Sequence, residues 1–69
     1  MDRADRRRFL VNLSRIRESV KSLEMLLATD ESSQYLALIR GHFTEVLNAS
    51  REGVYGIDRL SSPDETMRG

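Results

Sequence analysis

The stretch FLVNLSRIRESVKSLEMLL, Phe9 to Leu27, decides the fold. Its apolar residues Phe9, Leu13, Ile16, Val20, Leu23 and Leu27 are separated by alternating steps of four and three. A helix turns by about 100° per residue, so they fall on one stripe with the 3.5-residue repeat of a coiled-coil seam. Leu10 and Leu26 widen the stripe, while Arg15, Arg17, Glu18, Lys21 and Ser22 fill the other side. Asp2 is placed to cap the first amide groups, and Asp5 adds an acid in the first turn, where the helix dipole favours one. The reading is a helix from about residue 3 to about residue 28.

Working outward, Thr29-Asp30-Glu31-Ser32-Ser33 breaks the pattern. Thr29 or Asp30 is a candidate cap for a second helix. The period then resumes with Leu36, Ile39, Phe43 and Val46, and continues through Ser50, Gly53, Ile57 and Leu60, flanked by Leu47 and Val54. A connection this short makes the two helices antiparallel neighbours. Folding at about residue 31 sets Leu13 opposite Ser50 and Phe9 opposite Gly53, large against small. A competing reading ends the second helix at Gly53. The sequence favours one helix from about residue 31 to about residue 60, because the apolar period runs on to Leu60. Ser62-Pro63 disfavours further helix, and residues 61–69, with Met67 as their one apolar member, read as a disordered tail.

The fold class is therefore all-α: a two-helix antiparallel hairpin over residues 1–60. A hairpin has one internal interface, and this chain carries more apolar positions than one interface covers. Leu10, Leu26, Leu47 and Val54 stand beyond the seam. The expectation is a homodimer closing into a four-helix bundle, with Phe9, Leu13, Ile16, Val20, Leu23, Leu27, Leu36, Ile39, Phe43 and Val46 as its hairpin or dimer core.

Composition narrows the function. There is no cysteine, so disulfides and thiolate metal sites are excluded. The one histidine, His42, has only Glu45 within helical reach, and the serines sit in no nucleophile motif. No glycine-rich phosphate loop is present. The expectation is a non-enzyme with no cofactor and no metal. The apolar runs Met25–Ala28 and Tyr35–Ile39 fall far short of the roughly 20 residues a membrane helix needs. No apolar core of signal-peptide length follows the basic start, so the chain reads as cytoplasmic.

The 11 basic and 11 acidic residues balance, but unevenly along the chain. Residues 1–21 hold seven basic and three acidic side chains, and the remainder holds four and eight. Arg6, Arg7 and Arg8, with Arg15, form a candidate patch for nucleic acid or an acidic partner. It is also open to neutralisation by Glu52 and Asp58 of the antiparallel helix. Val11, Met25, Leu38, Tyr35 and Tyr55 lie off the main seams and are the candidate contacts for a protein partner.

Two helices of similar length around an acidic turn, here Thr29-Asp30-Glu31, followed by a polar tail, resemble the plasmid RNA-binding Rop family of hairpin dimers. Leu13-Ser14-Arg15-Ile16-Arg17, then Val20, Leu23-Glu24 and Asp30, resemble the first helix of copper- or formaldehyde-sensing repressors. Those families use a cysteine near the start of the next helix, where this chain has Ser32-Ser33, so metal or thiol sensing is not implied. Gln34-Tyr35 after the turn resembles the short hairpin co-chaperones of type III secretion needles. In size and plan the chain is also similar to phage anti-activators, including anti-quorum-sensing proteins. That last resemblance implies a small regulator that sequesters or inhibits a partner such as a transcriptional activator. The alternatives are a Rop-like or repressor-like nucleic-acid binder and a secretion-type co-chaperone.

Overall fold

The computed structural model describes residues 1–61. Helix α1 runs Arg3–Leu27 and helix α2 runs Leu36–Leu60, packed against each other as an antiparallel hairpin. Asp2 caps α1 as its sequence position suggests, its Oδ1 accepting from the Asp5 amide at 2.8 Å. That bond stabilises the carboxylate and holds the Asp2 pKa below its ordinary value. At the other end, the Ala28 amide donates to the Glu24 carbonyl and the Thr29 hydroxyl to the Leu26 carbonyl.

The connection differs from the expected simple cap. Neither Thr29 nor Asp30 caps the second helix. The chain makes a tight 3-10 turn over Ser32–Tyr35 and enters α2 directly from it, with no side-chain cap on either segment. The turn is held by the Gln34 amide donating to the Glu31 carbonyl, and by the Gln34 side chain donating to the Glu31 carboxylate. Regular α-helix therefore begins at Leu36, about five residues later than the sequence suggests. At its far end α2 passes through Gly53 and Gly56 without interruption, so neither glycine ends it. The expected disordered tail lies, but for Ser61, outside the described residues.

The main correction concerns which rows meet. On α1 the buried or half-buried row is Phe9, Asn12, Ile16, Ser19, Leu23 and Leu26. On α2 it is Ile39, His42, Val46, Ala49, Gly53 and Gly56. Phe9, Ile16, Leu23, Ile39 and Val46 hold the seam as expected. Leu13, Val20, Leu27, Leu36 and Phe43 lie outside the hairpin seam, each exposed, which leaves them the dimer half of that expectation. Both helices are rotated so that small or polar residues occupy alternate rungs. Ala49, fully buried, and Gly56, against the Phe9 ring, carry no bulk to hold the helices apart, and Asn12 and Ser19 occupy facing rungs. Among the described residues, no sealed side-chain polar atom lacks a partner.

Phe9 shows the consequence. It packs on Gly56 rather than Gly53, one turn further along α2. A Cβ at Gly56 would lie 2.8 Å from the ring's Cε1, whereas Cβ atoms at Gly41 and Gly53 would meet nothing within 4 Å. Gly41→Ala is therefore expected to stabilise the hairpin by about 1 kcal/mol through helix propensity alone. Gly56→Val is expected to cost about 1–3 kcal/mol by overpacking the ring, with part recovered when Phe9→Ala is added. Urea unfolding followed by circular dichroism at fixed protein concentration checks both signs.

Candidate functional site

Rotating the helices gives the hairpin two unlike faces. On one, α1 presents Leu13, Val20 and Leu27, and α2 presents Leu36, Phe43, Leu47, Val54 and Ile57. An open groove runs between the helices here, walled by Phe9, Leu13 and Ile16 on one side and by Val54 and Ile57 on the other. Ala49, Ser50 and Gly53 form its small-residue part. Leu13 is 51% exposed, Phe43 55% and Leu36 65%, although the seven-residue spacing that places them is that of a core. The eight apolar side chains on this face are between 41% and 65% exposed, and together they run most of the length of the hairpin.

The opposite face is organised by charge. Arg15 reaches across to α2 and grips Glu45 with a two-point contact, Nε to Oε2 at 3.1 Å and Nη2 to Oε1 at 3.1 Å. Its remaining arm, Nη1, donates to Glu52 Oε1 at 2.9 Å. A planar guanidinium is suited to this, because its donors form a fixed fork. The hydrogen bonds from Arg15 hold the Glu45 carboxyl below its usual range, and those to Glu45 and Glu52 hold the arginine more firmly charged. Glu45 and Glu52 stand seven apart on α2, which puts both carboxylates on the side facing Arg15. Glu52 is an acid expected to neutralise the patch that includes Arg15; Glu45 is the partner that spacing alone does not show. The signal was present as a Glu pair at heptad spacing opposite an arginine, but it needs the hairpin register to be read.

The other candidate residues scatter. Arg6, Arg7 and Arg8 are exposed and consecutive, so they leave the helix in three directions about 100° apart. Arg7 lies near Val11 and Arg15, while Arg8 lies at the open end beside Asp5 and Arg59. Glu52 pairs with Arg15, so the neutralisation expected of the patch reaches its Arg15 member and not Arg6–Arg8. Met25 and Leu38 do come together, in a shallow groove with Ser22, Leu26 and His42 on the charged face. Val11 lines a separate groove on that face. Tyr35 sits at the turn, and Tyr55 lies some 30 Å away along α2, with the Arg59 guanidinium 5.9 Å from its ring centre. His42 is half-buried toward α1, and Glu45 is committed to Arg15, so the two do not act as a pair.

Among the described residues, no three His, Cys, Asp or Glu side chains converge to hold a metal ion, and no helix is long and apolar enough to cross a membrane. No family model, no curated protein and no solved structure matches the chain.

The clamp gives a pH signature. Glu45 has a depressed pKa in the folded chain, so its contribution is present above its ordinary value of 4.5 and is lost as pH falls through the lower, folded value. The thermal midpoint is expected to fall on acidification below about pH 4.5. In Arg15→Met that portion of the pH profile should flatten, with the midpoint at neutral pH also reduced and less dependent on salt. Melting curves from pH 3 to pH 7, at low and high salt, measure all three effects.

Proposed function

We propose that the protein is a non-enzymatic, protein-binding regulator that works as a dimer. Its apolar face closes on a second copy to form a four-helix bundle. The remaining surface, chiefly the Met25–Leu38 groove, docks on a partner such as a transcriptional activator and holds it inactive. The observation that carries this reading is the continuous apolar face. A solvent-facing apolar area of this size marks a protein-binding surface, and its heptad spacing suits another pair of helices. Met25 and Leu38, at 73% and 56% exposure, supply a smaller apolar patch that bundle formation leaves open. The nucleic-acid alternative draws less support, since Arg6, Arg7 and Arg8 diverge and Arg15 is engaged by two carboxylates.

Light-scattering detection after gel filtration tests the dimer. The expected mass is twice the 7.9 kDa of one chain. Leu13→Glu with Phe43→Glu is expected to give a folded, helical monomer or a dimer weakened at least a hundredfold, because neither side chain is buried within the hairpin. A wild-type monomer would refute the dimer. The docking surface is tested separately. Met25→Glu with Leu38→Glu should keep the dimeric mass and lose the partner recovered with the wild-type chain. A salt-sensitive affinity for RNA or DNA that disappears in Arg7→Glu would replace this reading with the nucleic-acid one.

A further inference from the structure

We propose that the two copies lie side by side in the same direction, turn beside turn, with α1 of each copy over α2 of the other. This alignment rests on the dimer proposed above and adds what the charges at the edges of the apolar face say about it. On α1, the 100° step of about one residue places Arg6 and Glu24 just outside the Leu13–Val20 row. On α2 it places Asp58 and Arg40 just outside the Leu47–Val54 row. All four are exposed, and among the described residues the chain's own ion pairs are those of Arg15.

Levels along the hairpin follow from Phe9 against Gly56 and from Arg15 between Glu45 and Glu52. On that scale Arg6 is level with Asp58 and Glu24 with Arg40, each to within about one residue, or 1.5 Å. Leu10 is likewise level with Val54. A two-fold axis running along the hairpin keeps every level unchanged and sets the outer edge of α1 against the outer edge of the partner's α2. Arg6 then meets the partner's Asp58, Glu24 meets the partner's Arg40, and Leu10 meets the partner's Val54. Symmetry doubles each contact. The apolar rows overlap along their full length, because the register is fixed by symmetry and has no freedom to slide.

The opposite alignment, with the axis across the hairpin, lays α1 on α1 and cannot do both things at once. Centring the apolar row, Phe9 to Leu27, puts the axis at Glu18. Pairing Arg6 with the partner's Glu24 puts it at Arg15 instead. The two centres differ by about 4.5 Å. Covering the apolar row leaves Glu24 level with the partner's Asn12, and pairing the charges sets Leu27 beside the partner's Arg3 and Leu36 just past the end of the partner's α2.

The chain has no cysteine, so a single introduced thiol reports position cleanly. Asp30→Cys, in the turn and outside the interface, is spin-labelled and the label-to-label distance is measured on the full-length dimer. The expected distance is below about 25 Å, set by helices packed 8–10 Å apart plus the label arms. A distance of about 35–40 Å, the length of a 25-residue helix, would overturn the alignment while leaving the dimer standing. A monomeric mass in the same sample would overturn the dimer itself. Charge reversal gives an independent reading. Arg6→Asp and Asp58→Arg should each weaken dimerisation about three- to tenfold, and the double variant should recover it. Recovery by Arg6→Glu with Glu24→Arg, and not by the first pair, would again contradict the alignment.

Discussion

A helix with a single neighbour can bury only one side of itself, and every other feature of this hairpin follows from how that side is chosen. Each helix offers two adjacent rows. One is large and apolar, as in Leu13, Val20 and Leu27. The other is small or polar, as in Asn12 and Ser19 or Ala49, Gly53 and Gly56. The hairpin turns the second kind inward and leaves the first exposed. Phe9 and Ile16 sit at the boundary, sealing the seam with one edge and bordering the apolar groove with the other, while Leu23 is buried in the seam. A chain whose only task was to fold alone would gain more by burying the larger row, since apolar stabilisation scales with the area removed from water.

The charged face reinforces the register of the lean seam. Arg15 contacts carboxylates seven residues apart on α2, so the helices cannot slide by a turn without losing a contact. Exposed ion pairs of this kind add little stability individually, and their value lies in geometry. Phe9 seated on Gly56 fixes the same register at the open end. With the register set at two levels, the apolar face becomes a defined shape rather than a loose greasy surface. That is the condition for recognising one partner in one alignment.

Much of the fold was legible in the sequence, because its signals are local. The alternating four and three spacing, the Asp2 cap and the break after Ala28 each follow from residues within a few positions of one another. The phase of the seam was not legible. Two rows one residue apart, Leu13 with Val20 and Asn12 with Ser19, share the same period and the same members Phe9, Ile16 and Leu23. Hydropathy alone prefers the larger row, and close approach of the backbones prefers the smaller. The second helix start was misplaced for a similar reason: Thr29 and Asp30 look like caps, yet the chain needs a 3-10 turn to reverse direction first. At the candidate site, Met25 and Leu38 line one groove, a proximity that sequence spacing does not show. Of the Arg15 clamp, Glu52 is suggested by the charge pattern, but Glu45 and the two-point grip depend on the tertiary register.

In the proposed dimer the hairpin is half of a structure, and its apolar face is the interior of the bundle. The dependence of thermal unfolding on protein concentration tests this most directly, because a folded state that contains two chains is favoured by mass action and one that contains a single chain is not. The dimer should give a cooperative helical melt whose midpoint rises steadily across a hundredfold range of wild-type concentration. An equally cooperative melt with the same midpoint throughout that range would contradict it.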